Sequence, residues 1–210
     1  MTKQQEGFAL TAKSIIKELE KRNMEGYFCE NSKEAVQLVL SLLPENATIS
    51  WGGSETIKEC GLMDAIKAGN YNLLDRATIA PEDYREFYSK VVMADAFLMS
   101  TNAITENGEL VNIDGAANRL ACLLHGPQNV YVIVGMNKLV CDVPAAVGRI
   151  RNVACPANTL RLNRKTPCSV TGKCGDCYSQ DSICSQIVVT RRSTQPKRIK
   201  VILVAENLGY

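Results

Sequence analysis

Apolar residues recur along this chain at two spacings, and the alternation between them predicts helices and strands in turn. Phe8, Ile15, Ile16 and Leu19 fall among Lys13, Lys17, Glu18 and Glu20 at the spacing of one helix face, which predicts an amphipathic helix over 3–24. Residues 27–29 form a short strand, and Ser32 caps a second helix carrying Ala35, Val36, Leu38, Val39, Leu42 and Leu43, ended by Pro44. A buried strand at 48–51 runs into Gly52-Gly53-Ser54-Glu55-Thr56, and a helix with Ile57, Leu62 and Ile66 follows. A strand at 72–74, a helix at 81–93 and a buried strand at 96–99 come next. Asn107-Gly108 is a strong hairpin signal, with 110–113 as the returning strand and a helix from Asp114 to Leu124. The near-continuous apolar run at 130–134 is of parallel-sheet type; a helix at 142–153 and a last strand at 199–204 complete the pattern. This alternation predicts a three-layer α/β fold with a mainly parallel sheet flanked by helices. Residues 155–198, rich in Cys, Ser, Thr, Arg and Lys with little periodicity, read as a cysteine-rich insertion in one domain spanning 1–210.

Composition narrows the ligand. At 210 residues and 46% hydrophobic content the chain is sized for one core. Its 24 basic and 22 acidic residues leave a net charge of +2, too balanced to attract nucleic acid through a basic field. A small molecule is the expected ligand. Residues 1–10 lack the apolar run of a signal peptide and no stretch is long enough to span a bilayer, so the expected location is cytoplasmic. Disulfides are disfavoured there, and the nine cysteines are an odd number. Cys29, Cys60, Cys122 and Cys141 sit in apolar surroundings and read as small buried side chains.

Three constellations carry chemistry. The Gly52–Thr56 turn follows a strand and opens a helix, so Gly52, Gly53, Ser54 and Thr56 could cradle an anion with backbone N–H groups and hydroxyls; a Ser-capped turn accounts for it equally well. It is neither the Walker pattern nor the three-glycine dinucleotide fingerprint. Four thiols spaced Cys168-x5-Cys174-x2-Cys177-x6-Cys184 have the bite of a metal site, either zinc or an iron–sulfur cluster, with Cys155 as an alternative ligand. Reduced thiols or one local disulfide are the other reading of that set. Residues 100–119 bring Glu106, Asn107, Asp114, Asn118 and Arg119 to loops at a strand end, where ligands bind in α/β folds, although a turn and a helix cap would use the same residue types. Asn137 and Lys138 follow the 130–134 strand, placing Lys138 to pair with an anionic substrate. His125 is the single histidine and sits at a helix end, which removes multi-histidine metal sites and most protease-like arrangements.

Taken in order, Gly52-Gly53-Ser54, Thr105-Glu106-Asn107-Gly108, Asp114-Gly115-x-x-Asn118-Arg119, Gly126-Pro127, Gly135-x-Asn137-Lys138, the cysteine segment and the 204–210 segment Val-Ala-Glu-Asn-Leu-Gly-Tyr resemble the LUD (lactate-utilisation) domain family over about residues 5–208. The resemblance implies the fold shared by sugar-phosphate isomerases and CoA transferases. It also implies a link to oxidation of L-lactate to pyruvate, in which one member is a component of an iron–sulfur oxidase system. The chain lacks the ferredoxin-like ligand runs of the larger iron–sulfur partner. Glu106-Asn107-Gly108 also resembles the turn of CoA transferases whose glutamate forms an acyl-CoA thioester, with Thr105 in place of that turn's serine. The leading expectation is a protein of organic-acid utilisation that binds a small anionic metabolite through Gly53, Ser54, Thr56, Arg119 and Lys138. In it, Glu106 or Asp114 handles a proton, and the partners are an iron–sulfur oxidase subunit and a second copy of the chain. The rivals are a non-catalytic, metal-containing interaction subunit and an acyl-CoA or sugar-phosphate enzyme using Glu106.

Overall fold

The computed structural model describes residues 2–210. Its centre is a six-stranded, wholly parallel sheet of β1 (Glu25–Cys29), β2 (Thr48–Trp51), β3 (Asn72–Leu74), β4 (Ala96–Met99), β7 (Asn129–Gly135) and β10 (Ile199–Val204), in the order β1-β10-β7-β4-β2-β3. Strands buried on both faces need apolar residues at nearly every position, which is why β4, β7 after Asn129 and β10 apart from Lys200 read as apolar runs. Val130, Val132 and Val134 of β7 face one layer, with Phe97 and Met99 of β4 beside them. That layer comprises α1 (Lys3–Lys21), α5 (Tyr84–Val92) and α6 (Asn118–Leu124). Tyr131 and Ile133 face the other, formed by α2 (Ser32–Leu42), α3 (Glu55–Glu59) and α4 (Leu62–Ala68). On α1, Ala12, Ile15 and Leu19 are fully buried; removing Ile15 or Leu19 from water is worth about 1.5–3 kcal/mol each.

A second, four-stranded sheet, ordered β8-β5-β6-β9, stands on the carboxyl edge of the first. The Asn107-Gly108 turn joins β5 (Ala103–Thr105) to β6 (Leu110–Asp114) as an antiparallel hairpin, with Gly108 at φ +80°. β8 (Leu139–Val140) pairs with β5, and β9 (Gln186–Thr190) pairs antiparallel with β6. Within the 155–198 segment β9 completes this sheet, α8 (Cys155–Arg161) packs on it through Cys155, and α9 (Pro167–Thr171) packs on α8.

The helix expected to stop at 153 continues through a proline. α7 (Val143–Arg149) passes through a wider π turn at Ile150–Ala154 directly into α8. Pro156 has no N–H for the ladder and its ring crowds the carbonyl four residues back; the widened turn just before it is where the helix makes room. Ala146, Ile150, Ala154 and Cys155 pack this helix onto Ala103, Val111 and Ile113 of the second sheet. Cys29, Cys60 and Cys122 are buried as expected, whereas Cys141 is exposed, because it lies beyond β8 rather than inside a strand. No helix among the described residues is long and apolar enough to cross a membrane.

Candidate functional site

In a parallel sheet all strands end on one edge, and here those ends enclose a cavity of about 540 Å³. Gly52–Thr56 follow β2, Arg76 follows β3, Ser100–Asn102 follow β4, Lys138 follows β7, and Gly209 and Tyr210 follow β10; Asp114, Asn118 and Arg119 at the β6–α6 junction, Arg161 at the end of α8 and Arg164 just beyond it complete the wall. Of the residues singled out from sequence, Gly52, Gly53, Ser54, Thr56, Asp114, Asn118, Arg119 and Lys138 meet here.

Lys138 is the most deeply placed charge, 4% exposed. Its Nζ donates to Thr56 Oγ1 at 2.6 Å and Ser100 Oγ at 2.9 Å. Those hydroxyls pass their own hydrogens on, Thr56 to the Leu208 carbonyl and Ser100 to that of Thr101, so the third ammonium donor is the one left for a ligand. Burial pushes this amine down to about 7 from an ordinary 10.5, with Arg149 and Arg119 adding to the effect and Glu59 opposing it. Such an amine exchanges a proton with a bound molecule near neutral pH.

Arg119, expected to neutralise charge on a bound anion, spends its donors on the protein. Its Nε meets Asp114 Oδ1 at 3.2 Å, Nη1 donates to the Ser100 carbonyl and Asn112 Oδ1, and Nη2 to Asn102 Oδ1 and the Ile113 carbonyl, at 2.9–3.2 Å. All five guanidinium donors are used by the protein. Arg119 staples the end of β4 to β6, contributing charge to the wall and no free donor. Asp114 is engaged in turn, its Oδ2 accepting from the Leu120 N–H, so it serves as part of the staple. Ser54 caps α3, accepting from Ile57 N. α3 is only five residues long, so its dipole adds little to the turn.

Charge in the wall does not balance. Arg119 pairs with Asp114, Arg161 with Glu55 at 3.5 Å and Arg164 with Asp181 at 3.9 Å. Arg76 and Lys138 have no carboxylate within ion-pair distance among the described residues. Arg76 instead touches the Tyr88 hydroxyl at 3.4 Å, which also accepts from Asn118 Nδ2 at 2.7 Å. Arg76, Arg161, Arg164 and Ser100 were missing from the sequence-derived set; isolated arginines in loops look like solvated surface, and only their position after a strand or helix end distinguishes them.

Three expected site residues lie elsewhere. Glu106 and Asn107 are exposed at the hairpin tip, where the Asn107 carbonyl accepts from Arg22 Nε at 2.6 Å, beside the end of α1 and at the far end of β5 and β6 from the cavity. A glutamate there cannot reach a molecule at the strand ends. Asn137 accepts from Leu208 N with Oδ1 and donates to the Gly209 carbonyl, so it anchors the 205–210 segment. His125 is exposed at the end of α6; the buried Arg198 caps that helix, donating to the carbonyls of Cys122, Leu123 and Pro127.

A second cavity of about 530 Å³ is lined by Cys155, Cys168, Cys174, Cys177 and Cys184, and shares Ser182 and Ile183 with the first. Cys155 and Cys184 are in contact, Sγ to Sγ 3.4 Å. Hydrogen bonding with Cys155 holds the Cys184 thiol down against its burial, with Arg151 helping, while the same contact and burial push Cys155 up. Cys168 sits between the hydroxyls of Thr166 at 3.3 Å and Thr159 at 3.6 Å. Sulfur donors of this kind suit a thiophilic metal, but no three His, Cys, Asp or Glu side chains among the described residues are grouped around one point.

Comparison with solved structures gives a DUF162 family protein from Deinococcus radiodurans, 13% identical, covering 94% of this chain and 98% of that one with a TM-score of 0.55. It also gives eIF2B delta from Chaetomium thermophilum, 16% identical over 56% of this chain and 50% of that one, with a TM-score of 0.37. No curated protein matches the chain. Residues 12–204 match the family model described as LUD domain. The match runs from α1 through the last residue of β10 and so takes in both sheets and all but the 205–210 part of the cavity wall: the chain belongs to the LUD domain family.

Proposed function

We propose that the protein binds a small anionic metabolite, a hydroxy- or oxo-acid or a phosphorylated compound, in the cavity at the strand ends, and serves organic-acid utilisation beside an iron–sulfur oxidase subunit. The observation that carries this is the uncompensated charge: every carboxylate lining the cavity is matched by an arginine, and Lys138 and Arg76 remain. A buried cation with no counter-ion is costly, and a bound anion supplies the partner the protein withholds. The volume of about 540 Å³ exceeds a three-carbon acid and leaves room for a second anionic group. In this reading Lys138 holds the acid and exchanges a proton with it, Arg76 neutralises the far end, and the Arg119 staple fixes the wall. The acyl-CoA alternative through Glu106 loses its nucleophile to the hairpin tip.

The test is calorimetric titration with L-lactate, pyruvate, a sugar phosphate and a CoA ester, paired with thermal shift. One small anion should raise the melting temperature, a ligand at a hundred times its Kd adding about 2.7 kcal/mol. Lys138→Met and Arg76→Ala should each weaken that binding at least tenfold. A panel with no binder, or variants that bind like the parent, would sink the reading.

A further inference from the structure

We propose that Cys155, Cys174, Cys177 and Cys184 form a thiolate site for a thiophilic metal centre, zinc or an iron–sulfur cluster, with Cys155 and Cys184 as its preset half. This ligand set differs from the one that spacing suggests: Cys155, from a helix more than ten residues upstream, replaces Cys168.

The geometry separates the thiols. A tetrahedral zinc site with Zn–S of about 2.3 Å holds its sulfurs about 3.8 Å apart, and the Cys155–Cys184 pair at 3.4 Å is within a few tenths of that. The two are fixed independently: Cys155 opens α8 directly after the π turn and is packed against the second sheet, and Cys184 stands just before β9. Cys174 and Cys177 supply the short two-residue bite that lets neighbouring thiolates reach one ion or cluster. They lie in the irregular 172–185 loop, half-buried, and line the same cavity as the pair. Cys168, 8% exposed on α9, is enclosed between two threonine hydroxyls and is satisfied where it stands. A simple redox pair needs two thiols; four around one cavity, with a fifth held back, is the provision of a metal site.

Loading would draw the 174–177 turn toward the pair. It would also brace Ser182 and Ile183, the residues next to Cys184 that wall both cavities. The centre thus holds the partition of the anion cavity in place, and its ligands are independent of what that cavity binds.

The test begins with protein purified without oxygen, assayed for zinc, iron, acid-labile sulfide and visible absorption, and repeated after reconstitution with zinc or with iron and sulfide. One centre per chain is expected. A visible charge-transfer band with iron and sulfide identifies a cluster, and colourless stoichiometric zinc the mononuclear ion; either supports the site. Cys155→Ser and Cys184→Ser should lose at least nine-tenths of the metal, while Cys168→Ser keeps it. In the unaltered chain, metal should protect the half-buried Cys174, Cys177 and Cys184 from alkylation, with the exposed Cys141 labelled equally in both forms; this readout stands even where a variant fails to fold. Full metal content in Cys155→Ser, labelling of Cys174, Cys177 and Cys184 unchanged by metal, or a chain that takes up neither zinc nor iron would overturn the assignment.

Discussion

Lys138→Met isolates what a buried ammonium ion does to this fold. In the folded chain the amine is held near 7, against 10.5 for a lysine in water. Below pH 7 folded and unfolded chains both carry the proton, and the folded state bears the whole penalty of burying it. Between pH 7 and 10.5 the unfolded chain keeps a proton that the folded chain releases, so unfolding free energy rises with pH; above both values the penalty is gone. At 1.36 kcal/mol per tenfold change the full span corresponds to ~5 kcal/mol, and the rise from pH 7 to pH 9 to about 2 kcal/mol. Methionine keeps the apolar stem and removes the charge, so the variant lacks this slope. The assay is urea unfolding from pH 6 to 9.5, followed through Trp51, the single tryptophan. Other titrating groups, the free thiols included, act in both proteins and cancel in the difference. That difference should climb by about 2 kcal/mol from pH 7 to 9. Parallel curves would refute the claim that the fold neutralises Lys138. The same linkage makes ligand binding proton-coupled: an anion against the amine favours its protonated form, so binding takes up a proton above pH 7 and weakens as pH rises, in the parent chain and not in the variant.

Arg119→Ala leaves Asp114 and several buried acceptors without partners and should destabilise the protein by about 3–5 kcal/mol in denaturant titration. Arg119→Lys should recover less than half of that, since an ammonium cannot serve a planar fork; native stability in the alanine variant would show that the staple is idle. A Cβ at Gly135 would lie 2.7 Å from the Leu208 nitrogen and 2.8 Å from the Glu206 oxygen, backbone that cannot swing aside, so Gly135→Ala should cost about 2–3 kcal/mol and loosen the 205–210 segment to proteolysis. Glu106→Gln, at an exposed hairpin tip, should change stability by less than about 0.5 kcal/mol and leave anion affinity untouched; a loss of binding would return Glu106 to the site.

What could be read from the sequence is what chain neighbours determine. β7 and β10 announce themselves because both faces are buried, and the β5–β6 hairpin because Asn107-Gly108 suits its turn and little else. The helix through Pro156 was hidden because the rule that proline ends a helix omits the π turn that accommodates it. β9 was hidden for another reason: Ile187 and Val189 of this strand are exposed and Val188 turns inward, so the usual polarity of a half-buried strand is diluted.

Within the candidate site the same division holds. Lys138 was legible because it directly follows a strand that could only be central. Arg119 could be singled out, but its hydrogen bonding could not, since the backbone carbonyls of Ser100 and Ile113 that absorb its donors are encoded by no residue type. Arg76 was invisible for a topological reason: it follows β3 at the sheet edge, with two strands between β3 and β7, and only the order β7-β4-β2-β3 sets both residues on one cavity. The positive surplus in the cavity is thus a property of the strand order more than of any motif. A chain with the same glycine turn and the same lysine, but with β3 displaced from that edge, would retain the staple and the buried amine and lose half of the cavity's unpaired charge.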